Sequence, residues 1–155
     1  MKLLEAKDGL FVFRFSQRER MLLTHVLKQF PVGGGPVAPL SKSGDPETLA
    51  DSEPLLADAL AEQEAENRRL RDAFLGESGR FAEDGKNHFR VRLTTVQMDW
   101  LLRVLNEVRV GLWRKLGQPT DLAPLVLAGK LDEVVTMELC AGFQTQVLAA
   151  LDGGQ

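Results

Sequence analysis

The sequence predicts an α+β fold, mainly helical, in which a small antiparallel sheet is covered by about four helices. Three observations carry that expectation. An Asp8-Gly9 turn joins two short apolar segments, which is the signature of a β-hairpin. Twice, over residues 11–15 and 89–93, an alternating segment runs into a Ser or Thr followed three residues later by Glu or Gln. Long stretches with apolar residues at helical spacing fill most of the remainder.

Taken in order, residues 2–6 and 10–15 form the hairpin, with Phe11, Phe13 and Phe15 on one face and Arg14 on the other. Ser16 and Glu19 then open a helix over about 17–30, whose core face is Leu23, Val26, Leu27 and Phe30. From 31 to 51, Gly, Pro and Ser recur without a period, so the segment reads as an exposed, mobile loop. Ser52 and Pro54 suit the start of a long helix that ends at Leu75, before Gly76. Its stripe of Leu56, Leu60, Leu70 and Phe74, interrupted by Gln63 and Asn67, is thin, which places it on the outside of the fold.

A polar loop over 77–87 leads to a strand over 88–93, with Phe89, Val91 and Leu93 inward and Arg90 and Arg92 outward. The central helix follows, capped by Thr94 and Gln97 and ended by Gly117. Leu101, Val104, Leu105, Val108, Leu112 and Leu116 make one apolar face, widened by Met98, Leu102 and Trp113. Such a helix needs cover on more than one side. Trp100 and Val110 fall off that face and, if exposed together, suggest a subunit or partner contact. Thr120 suits the cap of a short helix through Ala128, and the last helix spans about 132–151 before a fraying tail at 152–155.

The two strand–helix segments can be overlaid without a gap. Residues 11–30 fall on 89–108, so that Phe11 meets Phe89, Arg14 meets Arg92, Ser16 meets Thr94 and Glu19 meets Gln97. Duplication and convergence both produce such an echo, and both predict two strands that pair and two helices that pack together.

A chain of 155 residues with 44% apolar and 26% charged residues is expected to form a single domain, 1–155. The net charge of −3 gives no electrostatic reason to expect nucleic acid or an anionic membrane as partner. One cysteine, Cys140, fits a reducing compartment, and no run of eighteen apolar residues interrupts the chain, so the cytoplasm is expected. No cofactor or metal is implied. Gly33-Gly34-Gly35 lacks the Gly-Lys-Ser/Thr ending of a phosphate loop, and His25 and His88 stand without partner ligands. Cys140 falls off the expected core stripe and has no nearby histidine to activate it. The terminal Gly153-Gly154-Gln155 has no supporting context and is read as coincidence.

Arg109 breaks the pattern of the central helix, lying about 80° from Leu101 and inside the apolar arc. Glu138 has the mirror problem among Leu131, Val135 and Leu139 on the last helix. The expectation is a buried or half-buried Arg109–Glu138 pair tying the helices together, with Asn106 as a further hydrogen-bonding group. Such a pair is architecture first, and a binding site second. Arg14, Arg90 and Arg92, with Lys86 nearby, make a weaker anion patch on the outer sheet face.

The run Leu105-Asn106-Glu107-Val108-Arg109, followed by Lys115-Leu116-Gly117, resembles the central helix of a mostly actinobacterial family, domain-of-unknown-function family two thousand and seventeen. Residues 64–70, Glu-Ala-Glu-Asn-Arg-Arg-Leu, are similar to that family's middle helix, where the position of Asn67 is usually aromatic. The Gly/Pro-rich loop replaces an acidic segment, and the last helix has no convincing match. The resemblance implies a bacterial protein, no activity and no catalytic residue. Its members are often encoded beside the adaptor of the Clp protease, which hints at protein quality control. The functional expectation is therefore a non-enzymatic interaction or regulatory module with a protein partner, or with itself as a homodimer through the central helix region. The alternative is a small-ligand-binding protein or enzyme using Arg109, Glu138 and Asn106.

Overall fold

The computed structural model describes residues 1–32 and 46–153, the side chains of 46–53 excepted. The fold is α+β and mainly helical. In chain order it comprises β1 (Lys2–Lys7), β2 (Leu10–Ser16), α1 (Gln17–Lys28), α2 (Pro46–Gly76), β3 (Ala82–Glu83), β4 (His88–Thr94), α3 (Thr95–Lys115), α4 (Ala123–Leu127) and α5 (Leu131–Gly153). The strands form an antiparallel sheet in the order β1-β2-β4-β3. Its inner face carries Phe11, Phe13, Phe15, Val91 and Leu93, all buried, and α1, α3 and α5 pack there.

The echo in the sequence has a physical counterpart. Along the β2–β4 ladder Leu10 faces Thr94, Phe13 faces Val91 and Ser16 faces His88. Exchanging the two units maps each of these pairs onto another pair of the same ladder, with Phe13–Val91 on the axis. The match continues past the strands. Gln17 N donates to Asn87 O and Thr95 N donates to Gly9 O, both at 3.0 Å. Gly9 and Asn87, the two acceptors, both sit at positive φ (74° and 60°), which glycine and asparagine tolerate better than other residues. Both helices then open with complete capping boxes, Ser16 with Glu19 and Thr94 with Gln97. The expected pairing of the two units holds, and α1 packs on α3.

α3 is the middle of the core. Met98, Leu101, Val104, Leu105, Val108 and Leu112 are buried as the helical period predicts, while Trp113 lies at the surface with its indole nitrogen donating to Pro119 O at 3.1 Å. α5 runs against α3 and seals it with Met137, Cys140, Phe143, Val147 and Ala150. α2 touches the body through Phe74, whose ring lies 5.3 Å from Trp100 and 6.3 Å from Phe81, and through the buried Asn67.

Several sequence expectations are corrected. Trp100 is buried under Phe74 rather than offered to a partner, because α2 covers the side of α3 that the wheel left polar. Cys140 is in the core, not off it. The long helix begins at Pro46, six residues before Ser52, so the expected loop over 31–51 is shorter, and residues 33–45 of it lie outside the described residues. The 77–87 loop contains the two-residue strand β3, which pairs with β4. The short helix starts at Ala123, where Asp121 rather than Thr120 accepts the first amide. α5 continues through Asp152 to Gly153, where fraying was expected, and residues 154–155 lie outside the described residues.

Candidate functional site

The expected Arg109–Glu138 pair is not formed. Both residues are exposed, and among the described residues no ion pair involves either one. The Arg109 guanidinium instead donates to Gln144 Oε1 at 3.4 Å, and Gln144 Nε2 donates to Leu102 O at 3.5 Å, a polar chain linking α3 to α5. The cause lies in α5. Its buried residues include Val134, Met137, Cys140 and Val147, which puts Glu138 about 160° round the helix from Cys140. A helix that is apolar on both faces gives a wheel with no unique phase, and the sequence reading chose the wrong face. Arg109, with its long stem, leaves the apolar arc and keeps its head in solvent. Asn106 is exposed on the same helix and makes no side-chain hydrogen bond among the described residues.

A second polar cluster, which the sequence reading did not single out, sits between α2 and α3. Asn67 is fully buried, and its Nδ2 donates to Glu107 Oε1 at 3.3 Å while its Oδ1 accepts from Gln63 at 3.5 Å. Burial raises the carboxyl of Glu107 above its ordinary value, Arg103 opposes that rise, and Glu64 adds to it. The signal in the sequence was an asparagine at a core position of the α2 stripe, where a polar group must find a partner. The arrangement fastens α2 to α3.

The sheet arginines are largely engaged with one acid. Arg14 and Arg90, which face each other across β2 and β4, both pair with Asp84, at 3.3 and 2.9 Å. Arg80 donates to the carbonyl of Arg92 at 3.0 Å and pairs with Glu77. A cavity of about 360 Å³ lies beside them, lined by Arg80, Asp84, Arg90 and Arg92 together with Glu77 and Glu83. Charges of both signs line it in equal number. An anion gains little there, because Arg14 and Arg90 already share Asp84 and the three arginines of the lining are matched by three carboxylates.

Cys140 is sealed in the core, and burial pushes its thiol up to about 12. Among the described residues no cluster of His, Cys, Asp and Glu has the grouping of a metal site.

What remains is the outer surface of the α4–α5 corner. Leu127 is 90% exposed, Leu131 53% and Val135 43%. α5 is long and apolar enough to cross a membrane by composition, yet only 39% of its most apolar window is buried in the fold. A second, thinner apolar strip, Leu55, Leu56 and Leu60, is exposed on α2. No protein-family model, curated protein or solved structure matches this chain.

Proposed function

We propose that this protein is a non-enzymatic interaction or regulatory module of the cytoplasm, and that it meets its protein partner through the outer face of α5 and the adjoining α4. One observation carries the reading: the most apolar of the long helices turns Leu131 and Val135 to solvent at its start, beside the exposed Leu127 of α4. Large apolar side chains grouped on a surface mark contact sites, whereas scattered ones do not. Among the described residues Cys140 is sealed in the core, and Arg14 and Arg90 are engaged with Asp84. The alternative of a ligand site built on Arg109, Glu138 and Asn106 loses its geometric basis, since Arg109 and Glu138 do not meet. A role in protein quality control rests on the resemblance of residues 64–70 and 105–109 alone.

The test is site-specific photo-crosslinking in cells. A photoreactive residue at Leu131 or Val135 is expected to give discrete protein adducts, while one at Arg92 on the outer sheet face gives none. Equal absence of adducts at all three positions would overturn the reading.

A further inference from the structure

α2 is longer than the surface that supports it. Asn67 lies against Glu107 and Phe74 against Trp100, so α2 and α3 run antiparallel, one residue forward on α2 for one back on α3. Carried back, that register sets residue 59 level with Lys115, where α3 ends. The turns before it form an arm that overhangs the body. On the arm Leu55, Leu56 and Leu60, all exposed, share with Ala59 an arc of about 140°. Asp58 and Glu62 border the arc on one side and Glu64 on the other, and no lysine or arginine stands between residues 54 and 66.

The outer side of α1 is the complement. Met21, exposed, sits in the middle of a groove of about 420 Å³ lined also by Gln17, Arg20, Thr24, His25 and Lys28. Arg18 flanks Met21 about 60° round the helix. Glu19, the one acid of α1, lies about 160° from Met21 and is engaged with Ser16. One helix thus offers leucines rimmed by carboxylates, and the other an adaptable thioether rimmed by cations.

The arm points away from the α1 of its own chain. Arg20 lies over the Phe81 ring, which packs on Phe74, and Arg71 donates to Phe30 O, so both ends of α1 sit near the C-terminal end of α2. Leu56 precedes Arg71 by about 22 Å along the helix axis. We propose that the α2 arm docks in the α1 groove of a second copy of this chain, with its leucines on the partner's Met21 and its carboxylates among the cations around it. The exchange is reciprocal about a two-fold axis, so it closes at two chains and each contact is made twice. It is separate from the α4–α5 surface, and either contact can fail without the other.

Sedimentation equilibrium of the full chain tests it. The protein is expected to be dimeric at about 100 μM in low salt, and the association should weaken as salt rises. Asp58→Lys with Glu62→Lys, which reverses the arm, and Arg18→Glu with Lys28→Glu, which reverses the groove, should each weaken the dimer about ten-fold or more. All four side chains are exposed and, among the described residues, in no ion pair, so the circular dichroism spectrum should not change. Mixed in equal amounts, the two variants should form a heterodimer within about three-fold of the starting affinity, because each arm then meets a groove of opposite charge. A monomer at that concentration, reversals without effect, or a mixture that stays monomeric would each overturn the dimer. A photoreactive residue at Leu56 should link two copies of the chain; adducts with a different protein alone would give the arm to another partner and remove the second copy.

Discussion

Gly111 and Gly142 make the same substitution do opposite things. Both lie inside helices, where alanine is favoured over glycine by about 1 kcal/mol. At Gly111, however, a Cβ would come 2.8 Å from Val32 Cβ and 3.1 Å from the Val32 carbonyl. Gly111→Ala should therefore lower the unfolding free energy measured by urea titration, by about 1–3 kcal/mol, as overpacking does. Gly142→Ala, where a Cβ meets nothing within 4 Å, should raise it by up to about 1 kcal/mol. The buried thiol supports a second expectation. With its pKa near 12, Cys140 should resist iodoacetamide at pH 8 in the native protein and react once urea exposes it. Glu107 supports a third. Its folded pKa lies above its unfolded value, so its charge opposes folding above the folded pKa, and the opposition fades as pH falls through that value. Glu107→Gln should stabilise the protein at pH 7, by less than about 1 kcal/mol given its partial exposure, and the gain should vanish in acid urea titrations.

At the scale of elements, the two capping boxes should behave as equals. Ser16→Ala and Thr94→Ala are each expected to cost about 1 kcal/mol in chemical denaturation, and the costs should add, since the caps lie in separate hydrogen-bond networks. The caps, the hairpin and the strand over 88–94 were legible because each is written locally, in a turn dipeptide, an alternation or a fixed spacing. The buried face of α3 was legible because its polar and apolar sides differ. α5 was not: with apolar residues all round, only the packed fold decides which side is inside, and that mistake produced the expected Arg109–Glu138 pair. Trp100 failed for a related reason, since nothing near it in the sequence announces that Phe74 will arrive from another helix. Asn67 shows the limit most clearly. Its position in the stripe was visible, but its partner Glu107 lies forty residues away.

For the molecule as a whole, one contiguous buried cluster draws on β2, β4, α1, α3 and α5, with Phe74 from α2. Leu105, fully buried at its centre, should cost about 2–5 kcal/mol on truncation to alanine. Yet the symmetric part of this assembly hides an ambiguity. When the two middle strands are interchanged, their backbone bonding reads the same, down to the left-handed acceptors at Gly9 and Asn87. Main-chain bonding therefore cannot tell the first half from the second. The label that distinguishes them is written at the margins: a six-residue strand beside one half, and a two-residue strand with Asp84 beside the other.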